Sequence, residues 1–111
     1  MAPSSVIAAV RRYLALLNQE GIEARFGVLY GSQANGTADE WSDIDLLVVS
    51  SLFDGEYTYA QRATLWRLAA RIDSRIEPVP CGDLQWKEDD GSPLIEIARR
   101  EGQVIALRQQ A

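Results

Sequence analysis

The run of apolar residues from Ile44 to Val49, interrupted only by Asp45, constrains the fold of this chain more than any other stretch. Isoleucine and valine favour strands, and apolar side chains at successive positions are typical of a strand buried on both faces. Such a strand needs neighbouring strands beside it and covering layers on each side. The sequence therefore predicts an α/β protein in which helices pack on a sheet.

Apolar residues at helical spacing predict helices that can form these covering layers. Three helices are predicted: one that is capped by Ser4 or Ser5 and ends near Gly21, one over about 58–73, and one that is capped by Ser92 and ends at Gly102. In the last of these helices we expect Leu94, Ile97 and Ala98 to face inward.

The predicted sheet is completed by three more strands, at residues 25–30, 75–79 and 104–107. Pro78 cannot donate a hydrogen bond to a sheet ladder, so its strand is expected at an edge or with no ladder bond needed from that position. Ser32 is expected to cap a short helix over 33–36. Residues 80–91 are expected to form a polar loop.

The composition fits a single domain over residues 1–111 and excludes several kinds of site. The chain is 47% hydrophobic and 24% charged, as in globular proteins. It contains one cysteine and no histidine, which excludes an internal disulfide and both Ser-His-Asp and Cys-His catalysis, and argues against structural zinc. Any chemistry must therefore use carboxylates, hydroxyls, lysine or arginine, or metals held by oxygen.

The charge balance and the hydropathy pattern narrow the possible partners. The formal net charge of −5 argues against direct nucleic-acid binding, which normally uses a basic face. No apolar run approaches the ~20 residues of a membrane span, and the first residues lack the features of a signal peptide. The sequence therefore predicts a cytoplasmic protein without membrane contact.

Two aspartates at the start of the strand 44–49 are the first candidates for chemistry. Asp43 and Asp45 lie two residues apart, so their carboxylates project from the same face of a strand. Two adjacent negative charges are unfavourable unless a cation neutralises them, and this pair could hold one Mg²⁺ or bridge two. By itself, Asp-x-Asp is more often a solvated strand end or a turn.

Gly31 and Ser32 follow the preceding strand and are candidates for phosphate binding. Glycine lets the backbone approach a ligand closely, and the start of a helix offers free N–H groups to a phosphate. The Ser32 hydroxyl adds one donor. An ordinary turn also uses Gly-Ser, but the ten residues 33–42 between Ser32 and Asp43 make the combination specific. Metal-binding carboxylates beside a phosphate site are what nucleotidyl transfer needs.

This spacing resembles the signature of the DNA polymerase β superfamily of nucleotidyltransferases. The sequence Ser-Asp-Ile-Asp-Leu-Leu-Val at 42–48 and the stretch 92–102 are similar to its minimal members, and the resemblance covers nearly the whole chain. It implies a polymerase β-type palm, a small mixed sheet with helices packed on it. It also implies a third carboxylate on a neighbouring strand, for which Glu77 is the match. Without the resemblance, Glu77 would be read as a surface glutamate.

Two positions depart from the pattern of that superfamily. Asn35 stands where many relatives have arginine, so one cationic contact to phosphate is expected to be missing. Glu77 is longer than the aspartate of polymerases, which can change the metal geometry. We expect both departures to affect the activity of the protein more than its fold.

The resemblance implies an enzyme that uses ATP and Mg²⁺, with two ions held by Asp43, Asp45 and Glu77. Gly31 and Ser32 would bind the nucleotide. Glu77 would also help to deprotonate the attacking hydroxyl, and pyrophosphate would leave.

The short chain leaves little room for an acceptor site, so we expect another macromolecule to supply the acceptor. Minimal members typically lie beside a HEPN-domain RNase toxin and act as its antitoxin, and some transfer AMP to a toxin tyrosine. By this analogy we expect a complex with a HEPN-type toxin. Two alternatives stay open: an antitoxin that acts by binding only, and one subunit of a small-molecule transferase, such as one acting on aminoglycosides.

Overall fold

The computed structural model of the chain describes residues 2–88 and 91–107. Its elements follow in this order: α1 (Ser4–Gln19), β1 (Phe26–Tyr30), α2 (Ser32–Asn35), β2 (Ile44–Ser50), a 3₁₀ helix (Ser51–Phe53), α3 (Tyr59–Ile72), β3 (Ile76–Gly82), α4 (Asp83–Glu88), α5 (Pro93–Glu101) and β4 (Gln103–Ala106). The predicted helices and strands are all present, with ends that differ from prediction by a few residues.

The strands form a four-stranded sheet in the order β3-β2-β1-β4. β2 pairs with β1 in antiparallel fashion and with β3 in parallel, and β4 pairs antiparallel with the other side of β1. α3 connects the two parallel strands, because parallel neighbours need a crossover connection. β3 lies at an edge, as Pro78 predicted. The fold is therefore the predicted small mixed sheet with helices packed on it.

Alternate residues of β2 face two different cores. Ile44, Leu46 and Val48 are fully buried in the larger core, which also contains residues of α1 and α3. Leu47 and Val49 belong to a smaller core with residues of β1, β3 and α5. Both faces of the strand are covered, as the apolar run predicted.

The segment 80–91 is not the polar loop that its composition predicted. β3 continues to Gly82 because its parallel pairing with β2 extends that far. α4 follows at once, and its first residue, Asp83, forms an ion pair with Arg25 beside β1. Within α4, Asp83 also pairs with Lys87 at 3.3 Å, an i,i+4 contact that supports a helix. Residues 89–90, part of the predicted acidic loop, lie outside the described residues.

One predicted helix face was partly wrong. Ile95 and Ala98 of α5 are buried, but Leu94 and Ile97 are 37% and 41% exposed. A narrow stripe of this nine-residue helix packs on the sheet, so residues one position away from the stripe turn toward solvent.

The predicted N-cap is present at the start of α5 and absent at the start of α1. Ser92 caps α5 by accepting a 3.4 Å hydrogen bond from the Ile95 N–H. α1 begins directly after Pro3, without a side-chain cap, so the capping role predicted for Ser4 or Ser5 is wrong. None of the helices in the described residues combines the length and apolar character that crossing a bilayer requires.

Candidate active site

Acidic residues from β2 and β3 lie side by side at one end of the sheet. Asp45 and Glu77 are paired in register across the parallel strands, and Tyr30, the last residue of β1, is paired with Asp45 on its other side. Directly paired residues share a face of the sheet. It is the face of the smaller core, since Leu47 lies two residues further along β2. Asp43 immediately precedes β2, so the chain order brings it to the same end.

Burial and neighbouring charges perturb the ionisable groups of the site. Burial, followed by the charge of Asp43, raises the pKa of Asp45. Burial, followed by the charges of Asp43 and Asp45, raises the pKa of Glu77. Burial, followed by the charges of Asp45 and Glu77, raises the pKa of Tyr30 to about 12. The site therefore concentrates negative charge that a bound cation would neutralise.

Gly31 connects the Gly-Ser motif to the carboxylates. Its backbone has φ 69° and ψ −146°, a combination that is nearly exclusive to glycine. A Cβ atom at this position would lie 2.6 Å from Oδ2 of Asp45. The backbone conformation requires glycine, and a Cβ atom here would also displace the Asp45 carboxylate. The two motifs, ten residues apart in sequence, are in contact in the structure.

Ser32 is the first residue of α2 and does not cap it. Gly31 occupies the N-cap position, and its carbonyl accepts hydrogen bonds of 3.1 Å from the N–H groups of Ala34 and Asn35. The predicted capping role of Ser32 is therefore wrong, because the glycine takes the non-helical conformation. α2 has four residues, so individual N–H groups, rather than a long macrodipole, are what it can offer a phosphate.

Asn35, where the sequence resemblance implied a missing arginine, takes part in a local turn. Its Oδ1 accepts a 3.1 Å hydrogen bond from the N–H of Thr37 and a 2.6 Å hydrogen bond from the Thr37 hydroxyl. An amide cannot bring the positive charge of a guanidinium to a phosphate. The cationic contact associated with this position is therefore absent from the Asn35 side chain.

Two side chains hold the backbone of the loop that leads to Asp43, and sequence reasoning did not identify either role. The buried Gln33 of α2 donates from Nε2 to the carbonyl of Asp43 at 3.3 Å. Arg75 donates from Nη1 to the carbonyl of Glu40 at 3.3 Å. A contact between a side chain and a distant carbonyl leaves no pattern in the sequence.

Tyr30 is a third residue whose relation to the site was missed. Its side chain is half-buried beside the carboxylates. Strand alternation of Phe26, Val28 and Tyr30 was the available signal, because it puts all three on one face.

The donor chemistry of the site fits Mg²⁺, which prefers carboxylate and other oxygen ligands. Within the described residues, no three Asp, Glu, Cys or His side chains are placed so that together they could hold a metal ion. The strand register pairs Asp45 with Glu77, and Asp43 precedes β2 at the same end. The chemistry of these three residues therefore fits Mg²⁺, while their placement in this structure is not that of a formed metal site.

Residues 15–101, which include all five predicted site residues, match the family model of the nucleotidyltransferase domain. A curated protein named ferrochelatase, from Nitrosococcus oceani, is 37% identical over 85 residues. That match covers 74% of this chain and 23% of the relative. The chain thus spans less than a quarter of the relative's length, and the relative's name describes the larger protein.

Several solved structures have a similar fold. A protein assigned as a nucleotidyltransferase from Sulfolobus solfataricus has a TM-score of 0.62 at 13% identity, covering 90% of this chain and 78% of its own. A toxin–antitoxin structure with AMP-PNP has a TM-score of 0.59 at 22% identity, covering 90% and 75%.

A third similar structure is the toxin–antitoxin MntA-HpeT, in a mutant with two aspartates, two positions apart, replaced by glutamate. It has a TM-score of 0.58 at 21% identity and covers 89% of this chain and 73% of its own. At these identities the likeness is one of fold. It confirms the predicted polymerase β-type palm.

Proposed function

The chain belongs to the family of nucleotidyltransferase domains, and we propose that it transfers AMP from ATP to a hydroxyl group of a partner protein. The reaction would depend on Mg²⁺, and the partner would be a HEPN-type RNase toxin that the transfer silences. The observation that carries the proposal is the contact between Gly31 and Asp45. It joins the proposed phosphate-binding turn to the proposed metal ligands.

The residues of the site divide the chemistry between them. Asp43, Asp45 and Glu77 would hold Mg²⁺, which when bound stabilises the entering and leaving oxygens of the transfer. The backbone of Gly31 and Ser32 would orient the triphosphate beside these carboxylates. Glu77, whose pKa is raised by burial and by its two acidic neighbours, is suited to accept the proton of the attacking hydroxyl.

The partner is proposed from the fold and from charge. Two of the similar structures are toxin–antitoxin pairs, one of them with AMP-PNP. The aspartates replaced in the other lie two positions apart, the same spacing as Asp43 and Asp45. The net charge of −5 favours a partner with a basic surface, as RNA-binding proteins have.

The test is to co-express the chain with a HEPN-type partner and to measure the intact mass of that partner. The proposal requires mass added in AMP steps in the presence of ATP and Mg²⁺, together with loss of RNase activity. The Asp43→Asn variant should add no mass. A wild-type chain that binds the toxin and adds no AMP would contradict the transferase proposal.

A binding-only antitoxin is the second candidate, favoured by one observation. The side chain of Asn35 is neutral and bonded to Thr37. If Asp43→Asn silenced the toxin as well as wild type, occlusion would replace transfer as the mechanism.

A further inference from the structure

The loop that delivers Asp43 to the site crosses a pocket. Residues 36–43 join α2 to β2, and Ala38, Asp39 and Glu40 line a pocket of about 540 Å³. The opposite walls come from the start of α1, from Gln33 and from Arg75. A loop segment over a pocket is not fixed by close packing there, so specific hydrogen bonds must determine where it lies.

Arg75 supplies one of these hydrogen bonds from a guanidinium that a carboxylate holds in place. Its Nε and Nη2 donate to the two carboxylate oxygens of Asp73 at 3.1 and 2.8 Å, a bidentate arrangement that fixes the plane of the guanidinium. The remaining nitrogen, Nη1, donates to the carbonyl of Glu40 at 3.3 Å. One planar group therefore ties the loop, three residues before Asp43, to the start of β3.

The backbone of Arg75 reinforces this connection. Its carbonyl accepts a 2.8 Å hydrogen bond from the N–H of Ile44, the residue between the two site aspartates. Glu77 lies only two residues further along the chain. Arg75 thus contacts the segment that carries Asp43 and Asp45 and belongs to the segment that carries Glu77.

Gln33 is the second support of the loop. Its Nε2 donates to the Asp43 carbonyl at 3.3 Å, the same length as the Arg75 bond to Glu40, and its buried Oε1 has no hydrogen-bond partner within the described residues. A neutral amide lacks the charge-assisted hydrogen bonds by which Asp73 fixes the plane of the Arg75 guanidinium. Arg75 therefore restrains the loop at Glu40, and Gln33 restrains it at Asp43.

We infer that Arg75 is a positioning residue of the proposed transferase, which holds the loop so that Asp43 stays beside Asp45 and Glu77. The inference rests on the proposed metal site. Arginine is required because one planar group makes three directed hydrogen bonds to two acceptors at once. A lysine ammonium could reach Asp73 or the Glu40 carbonyl but lacks the rigid fork that connects them.

The test uses Mn²⁺ as the probe, with its free concentration measured by electron paramagnetic resonance. Arg75→Ala should weaken Mn²⁺ binding about 10–100-fold, the usual effect of removing a residue that orients metal ligands. Arg75→Lys and Asp73→Asn should each weaken it to a smaller extent, because each disrupts the fork and leaves the other partner in place. Nitrogen-15 relaxation should show increased motion of amides 38–42 in Arg75→Ala.

Arg71→Ala is the matched control, since Arg71 is an exposed arginine near the end of α3 whose ion-pair contact, Glu20, is 3.9 Å away. It should change neither Mn²⁺ affinity nor loop motion. Wild-type Mn²⁺ affinity in a folded Arg75→Ala would overturn the inference and leave the proposed function standing. If that variant does not fold, wild-type affinity in Arg75→Lys and Asp73→Asn would overturn it equally. A wild-type chain that binds no Mn²⁺ would overturn the metal site itself, and the inference with it.

Discussion

The two faces of β2 are built from adjacent residues and serve opposite purposes. On one face Ile44, Leu46 and Val48 are fully buried beneath α1 and α3. On the other face Leu47 and Val49 are buried, but Asp45, at the end of the same row, is half-buried among groups of like charge. One face is apolar from Ile44 to Val48, and the other changes from core to candidate active site within two residues.

Stability and the proposed function therefore come from different faces of this strand. The face beneath α1 and α3 gains free energy from each apolar side chain that it buries. The opposite face, here called the mixed face, carries Asp45, Leu47 and Val49. Burial of Leu47 and Val49 stabilises the fold, whereas repulsion between the neighbouring carboxylates destabilises it. The rigid face thus supports a site that is unfavourable without a cation, as is common where function requires strain.

The largest effect is expected from Leu46→Ala, which removes a buried side chain from the face beneath α1 and α3. Leu46 is fully buried, and such truncations cost about 2–5 kcal/mol in the free energy of unfolding, because a cavity replaces the side chain. Urea unfolding followed by circular dichroism measures the loss. Binding of ATP with Mg²⁺ by the folded fraction should be retained. A loss well under 1 kcal/mol would mean that this face does not hold the fold together.

Asp45→Asn changes the neighbouring residue and should have the opposite outcome. The free energy of unfolding should stay the same or rise slightly, because one of the clustered charges is removed. Calorimetry should show that the affinity for ATP in the presence of Mg²⁺ falls by at least about 10–100-fold, since loss of an orienting neighbour alone has that effect. Equal ATP affinity in the variant and wild type would reject the site assignment.

Gly31→Ala tests the contact that joins the two motifs. The new Cβ would meet Oδ2 of Asp45 at 2.6 Å, in addition to the strain of a positive φ. Gly21→Ala is the matched control, because Gly21 also has a positive φ but a Cβ atom there would meet nothing within 4 Å. We expect Gly31→Ala to destabilise the fold by about 1 kcal/mol more than the control and to weaken ATP binding. Equal effects at both glycines would mean that the contact with Asp45 is unimportant.

The parts of the molecule that the sequence predicted are those encoded by local patterns. β2, the Gly31 turn and the edge position of β3 follow from apolar runs, glycine and Pro78. The ion pair of Arg25 with Asp83 and the hydrogen bond of Arg75 with Glu40 could not be predicted, because the partners are distant in sequence. Neither residue pair leaves a periodic or compositional signal.

The smallest expected effect is a pH dependence that belongs to the mixed face alone. Burial and the charge of Asp43 raise the pKa of Asp45 in the folded state. The folded protein therefore holds this proton more tightly than the unfolded chain does. Its contribution to stability is complete below the unfolded pKa and is lost as the pH rises through the raised folded pKa.

The pKa of Asp73 is lowered, chiefly by its hydrogen bond from Arg75, so Asp73 has the opposite dependence and must be subtracted. Both wild type and Asp45→Asn contain Asp73, so the contribution of Asp73 cancels when their free energies of unfolding are subtracted. In EDTA, the free energy of unfolding of wild type should fall relative to that of Asp45→Asn as the pH rises above the ordinary carboxyl range. Added Mg²⁺ should reverse the trend, since it binds the ionised form. A difference that moves in favour of wild type with rising pH in EDTA would contradict the repulsion on which the proposed cation site depends.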